Sequence, residues 1–216
     1  MTNSSPFVLF VQRAHELLQG GYAAMDARAW NSNQEPEISG ELTAHIRQLV
    51  DDAARRQPWM RHWTPINDEP EDETEKPKEK RRLGNRRKRP DIKLKFAGKR
   101  GSEYFRFEAK KLHSSGDFED LISHEDGLGR FLRRAYGSSD AAGGLLAYVK
   151  TETVEVHSGR VRDAFAANPK KHRIAKGGGW KAVHWKAGPK CCFRTEHVRE
   201  RSGGRIAIYH TFFLFR

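Results

Sequence analysis

Two stretches near the middle of the chain alternate apolar and polar residues with a period of two. Ile92, Leu94 and Phe96 interleave with Asp91, Lys93 and Lys95, and Phe105, Phe107 and Ala109 interleave with Tyr104, Arg106, Glu108 and Lys110. That pattern predicts two strands, each with one buried face. Turn residues lie between them, in Ala97-Gly98-Lys99-Arg100-Gly101-Ser102, so the pair reads as a hairpin. Upstream, the period changes to that of a helix. Phe7, Phe10, Val11, Ala14, Leu17 and Leu18 follow Ser4-Ser5-Pro6, which predicts an N-terminal helix ending at Gly20-Gly21. After a polar break at Asn31 to Gln34, Pro36 opens a second helix with Ile38, Leu42, Ile46, Leu49 and Val50 as its apolar stripe. Pro58 to Ile66 has room for a short first strand, which Pro58 and Pro65 restrict to an edge.

Downstream, Gly127 to Tyr136 reads as a helix with Leu128, Phe131, Leu132 and Ala135 inward, and Gly143 to Val149 is the continuous apolar run of a fully buried strand. Thr151 to Asn168 reads as a further helix, weakened by Gly159. Cys191 to Arg199 and Arg205 to Phe215 form a last pair of strands, whose turn would set His197 near Ile208 and Thr195 near His210. The expected class is α/β in a single domain. An N-terminal helical extension (1–32) precedes a core (33–150) of helix, three strands, helix and strand, and a helix plus β-hairpin follows as a C-terminal extension (151–216). At 216 residues the chain is long enough to bury a real core.

Charge narrows the picture. The net charge of +12 favours a polyanionic partner. Within the core, residues 68–89 segregate into an acidic block and then a basic one ending in Arg86, Arg87, Lys88 and Arg89. Nothing there can bury a core, so a solvated loop is expected. Its basic end runs directly into Asp91, where it could grip phosphates. Arg130 and Arg134 on the later helix, and Lys181 after the glycine-rich basic segment, are further candidate phosphate contacts. Each also reads as a solvated charge. Trp180 and Trp185 flank that segment as candidate base-stacking rings. The two cysteines, Cys191 and Cys192, are adjacent and lack metal-type spacing, which fits a reducing, cytoplasmic setting. Phe7 to Val11 is too short to span a membrane.

The hairpin carries the chemistry. If it is symmetric about Lys99 and Arg100, Asp91 lies opposite Glu108, and Glu108 shares a face with Lys110. Two carboxylates and a lysine then converge in front of an apolar face. Carboxylate oxygens suit a hard cation such as Mg²⁺, and a lysine beside them can orient water and offset developing charge. Glu-x-Lys on a strand also occurs as a plain solvated pair.

Pro90-Asp91, sixteen residues, then Glu108-Ala109-Lys110 resembles the signature of the PD-(D/E)XK nuclease superfamily, the restriction-endonuclease-like fold. The core from about Glu35 to Val149 follows that family's order of elements. The resemblance implies Asp91 and Glu108 as metal ligands and Lys110 as the catalytic lysine. It also implies a glutamate from the first core helix, Glu37 first and Glu41 second, completing the metal site. The implied activity is Mg²⁺-dependent hydrolysis of DNA phosphodiesters, with Mn²⁺ able to substitute, in restriction or phage defence. A second copy or an accessory subunit would serve to cut both strands. A non-catalytic nucleic-acid-binding subunit and an RNase using the same site are the alternatives. His197-Val198-Arg199 and His210-Thr211-Phe212 lack the paired His-x-Thr/Ser of two-histidine phosphoesterases, so these histidines are expected to be structural.

Overall fold

In a computed structural model, which describes residues 5–53, 57–67, 90–98, 101–133, 140–200 and 203–216, the chain opens with two helices. Helix α1 (Pro6–Ala24) starts where Ser5 caps the amide of Val8 and Pro occupies the first turn. It runs past the glycines expected to end it. Gly20 and Gly21 lie inside the helix because helix α2 (Glu35–Ala53) crosses closely there. A Cβ on Gly21 would stand 2.4 Å from Ile46 Cγ1, and one on Gly20 would stand 2.4 Å from Leu49 Cδ2. Close approach, not termination, is their role.

Strand β1 (Trp63–Asn67) is an edge strand and tolerates Pro65 for that reason. Strands β2 (Ile92–Gly98) and β3 (Gly101–Leu112) form the expected hairpin. The short helices α3 (Phe118–Leu121) and α4 (Gly127–Leu132) lead to strand β4 (Ala142–Val149), every residue of which is buried. Helix α4 is shorter than the Gly127 to Tyr136 expected, and residues 134–139 lie outside the described ones. Helix α5 (Val154–Ala167), capped by Thr153, is followed by β5 (Lys181–Ala182), β6 (Cys192–Val198) and β7 (Arg205–Leu214).

These strands make one mixed sheet in the order β1-β2-β3-β4-β7-β6-β5. The first three form an antiparallel meander, and β4 and β7 then add parallel to β3. The expected C-terminal extension therefore belongs to the same sheet as the core, with β7 beside β4 near its centre. The hairpin β6–β7 pairs Thr195 with Ile208 and His197 with Ile206, two residues from the expected register. A shift of two keeps the same side chains inward, so alternation alone cannot distinguish the two pairings.

Both faces of the sheet are covered. Phe105, Phe107, Ala109, Leu146, Tyr148 and Phe213 share one core with α1 and α2, while Leu112, Leu145, Ala147, Val149, Ile208 and Phe212 share another with α3, α4 and α5. Strand β4 feeds both cores by turns, which is why its sequence is apolar without interruption. Gly144 in that strand makes room for Phe107, whose ring would lie 2.2 Å from an added Cβ. No helix among the described residues is long and apolar enough to cross a membrane.

Candidate active site

The hairpin is symmetric about residues 99 and 100, with Ile92 opposite Phe107 and Gly98 opposite Gly101. The pairing ends at Ile92 and Phe107, one residue short of the Asp91–Glu108 pair expected from that symmetry. Strand β2 stops there. The amide of Ala109 is instead taken by the side chain of Asp91, at 2.7 Å from Oδ2. The carboxylate thus replaces the ladder partner that the chain no longer supplies. Past this point β3 pairs on its other side with β4, Glu108 opposite Leu145 and Lys110 opposite Ala147. Glu108 and Lys110 share the face that carries Leu112 and meets α4.

Lys110 is the hub. Its Nζ stands 3.2 Å from Glu35 Oε1, 3.2 Å from Asp126 Oδ2 and 3.5 Å from Glu108 Oε1. Burial alone would favour the neutral amine. The carboxylates of Glu35, Glu108, Asp126 and Asp91 outweigh that and lift its pKa above the ordinary lysine range. Lys110 is therefore held protonated. Arg130, from the middle of α4, adds a second cation, with Nε 3.0 Å from Glu108 Oε1 and in contact with Asp126. Asp126 is strongly depressed despite partial burial, because Arg130 and Lys110 bond to it.

Asp91 moves the other way. Burial raises its pKa from 3.8 to about 6, and the nearby charge of Glu35 adds to this. The Ala109 amide, Lys110 and Arg130 only partly compensate. A buried carboxylate in that condition is one that a further cation would relieve.

The helix residue at the cluster is Glu35, not Glu37 or Glu41. Glu35 begins α2, bonds Lys110 and accepts the backbone amide of Lys111 at 3.0 Å. Glu37 is exposed and folds back to accept from the Gln34 amide at 2.8 Å and Asn33 Nδ2 at 3.0 Å. That is a capping arrangement that closes the start of the helix. Glu41 pairs with His45 at 3.1 Å along the helix surface. Two signals in the sequence point to the residues that were missed. Glu35 precedes Ile38 by three and Leu42 by seven, so it lies on the buried stripe, whereas Glu37 does not. Asp126 lies four residues before Arg130, the spacing of a helical ion pair.

Among the expected phosphate contacts, Arg130 is at the cluster. Lys181 is exposed on β5 at the far edge, four strands from β3, or roughly 19 Å at ordinary strand spacing. Arg86, Arg87, Lys88, Arg89 and Arg134 lie outside the described residues. The two tryptophan rings are used in packing. Trp180 stacks on Phe193 at 4.7 Å, and Trp185 lies against His15 at 5.7 Å. His197 and His210 meet through Thr195, whose Oγ1 is 2.7 Å from Nε2 of each. Burial lowers the pKa of His197 to about 4 and that of His210 well below 6.5. Both are neutral packing groups remote in sheet order from Asp91.

Comparison with protein-family models, with curated proteins and with solved structures gives no significant match. The geometry alone carries the chemical reading.

The donors at the cluster are all carboxylate oxygens, the set that a hard divalent cation prefers over softer metals. Asp91 and Glu108 are the carboxylates that would hold such an ion, and the burial of Asp91 is consistent with that role. Among the described residues, no three His, Cys, Asp or Glu side chains are gathered as a ready cage. Lys110 and Arg130 bridge the carboxylates instead.

Proposed function

We propose that the chain is a metal-dependent nuclease of the PD-(D/E)XK type, hydrolysing nucleic-acid phosphodiesters, with DNA as the substrate class. One observation carries the reading: Glu108 and the protonated Lys110 share one face of β3 with Glu35, Asp126 and Arg130 around them, and the buried carboxylate of Asp91 bonds the amide of Ala109 between the two. The order α2, β1 to β3, α4, β4 agrees with the core expected of that fold.

Asp91 and Glu108 would hold Mg²⁺, which when bound polarises a phosphoryl oxygen and lowers the pKa of an attacking water. The other parts are the chain's own. Lys110 is protonated and cannot accept a proton. It donates hydrogen bonds, so it suits orienting water and offsetting charge that develops on the phosphate. Glu35 holds the ammonium in place and ties the first turn of α2 to β3 through Lys111. Arg130 can place a planar, permanently charged fork against a phosphate. The net charge of +12 supplies long-range attraction for the substrate.

The test is incubation of the purified chain with supercoiled plasmid, single-stranded DNA and RNA, each with Mg²⁺, with Mn²⁺ and with EDTA. Cleavage of DNA with either metal and none with EDTA is expected. Cleavage of RNA alone would move the substrate class. Tight binding without cleavage of any substrate would make the chain a binding subunit.

A further inference from the structure

The carboxylate needed for the metal already holds a cation of the protein's own. Glu108 is 1% exposed, and its Oε1 lies 3.0 Å from Arg130 Nε and 3.5 Å from Lys110 Nζ. The two cations reach Glu108 from different elements, Lys110 from β3 and Arg130 from α4. Lys110 is also held by Glu35 and Asp126. Arg130 reaches Glu108 from α4, a helix of only six residues, and has Asp126 four residues before it as a second anchor. A guanidinium does not lose its proton in proteins, so it cannot vacate the site by neutralising. A divalent ion on Glu108 and a guanidinium at 3.0 Å from the same oxygen would repel each other in a place that water barely screens.

We propose that Arg130 is a built-in competitor of the metal ion: it occupies Glu108 in the resting protein and must swing off before a divalent cation can bind. Asp126 is the anchor that retains Arg130 at the site after release, and a substrate phosphate is the anion that draws it away. Metal binding and phosphate binding then favour one another through a single side chain. By thermodynamic reciprocity each raises the affinity for the other. The site assembles fully only when nucleic acid is present. This rests on the reading of Asp91 and Glu108 as metal ligands.

Mn²⁺ titration followed by the electron paramagnetic resonance of the free ion tests it without measuring cleavage. Glu108→Gln defines the binding that belongs to the site. Site-specific affinity in Arg130→Gln should exceed that of the parent at least tenfold, with Arg130→Lys in between. Equal or weaker binding in Arg130→Gln, with Glu108-dependent binding in both proteins, would overturn the competitor role and leave the nuclease reading standing. No Glu108-dependent binding in any variant would overturn both. A second measurement avoids reliance on the folding of a variant. In the parent protein, the Arg130 Nε resonance, assigned through Arg130→Lys, should shift as Mg²⁺ saturates the site. A resonance that stays in place through saturation contradicts the proposal.

Discussion

At the scale of single residues, Asp91 shows what the site costs the fold. Its pKa is lifted from 3.8 to about 6 by burial, so the folded chain binds that proton more tightly than the unfolded chain. Between those values the folded state carries more protons, and stability falls as pH rises through the interval. Above it the full penalty persists. Asp91→Asn keeps an oxygen for the Ala109 amide and removes the charge. It should stabilise the metal-free protein at pH 7.5 by about 1–3 kcal/mol, since one pKa unit corresponds to ~1.4 kcal/mol. For a chain of this size that is a rise of several degrees in Tm, and it should vanish below pH 3.8, where both forms are neutral. Thermal denaturation at pH 7.5 and 3.5 checks this; an unchanged or lower Tm at pH 7.5 would show that Asp91 is not strained by burial. The same residue implies a cleavage rate that rises through about pH 6 at limiting metal and shifts to lower pH when metal is saturating.

At the scale of elements, the glycines separate packing from propensity. A methyl group on Gly21 would meet Ile46 Cγ1 at 2.4 Å, and also Ile46 N and Leu42 Cδ1 at 3.2 Å each. Gly21→Ala should therefore destabilise by roughly 1–3 kcal/mol, although alanine favours a helix. Gly159 in α5 has nothing within 4 Å, so Gly159→Ala should gain about 0.5–1 kcal/mol. Chemical denaturation of the two variants decides it; equal effects would mean that α1 and α2 do not cross as closely as described. The contrast also explains what was legible. A glycine pair after an apolar stripe looks the same in sequence whether it ends a helix or admits a neighbour. Only the position of α2 tells them apart. The β2–β3 register was legible because the turn-forming residues lie midway between two alternating runs, and Gly98 pairs with Gly101 as that midpoint requires. The β6–β7 register was not, because two pairings preserve the inward face.

At the scale of the whole molecule, alternation and apolar runs gave the order α2, β1 to β3, α4 and β4 but not the short helix α3, and the place of the last strands needed the fold. Residues 151–216 read as an appendage, yet β7 lies against β4, and Ile208 and Phe212 fill the core under α5. The cluster was half legible for a related reason. Glu108 and Lys110 lie on β3 and Asp91 immediately precedes β2, so period and turn bring the three together. Glu35 and Asp126 reach Lys110 from elsewhere in the chain, so their part depends on how α2 and α4 dock on β3. Glu37 illustrates the difference: its spacing suits a first-turn acid, and it is used for that alone.

The central claim is that Asp91, Glu108 and Lys110 form one hydrolytic centre and not a structural ion-pair lattice. Single-turnover cleavage of a DNA duplex in Mg²⁺ by Asp91→Asn, Glu108→Gln and Lys110→Met, with DNA binding measured beside it, tests this most directly. The account predicts that each substitution lowers the rate at least a hundredfold, about 3 kcal/mol in the barrier, while binding changes by less than tenfold. Parental cleavage rates in all three variants would contradict it.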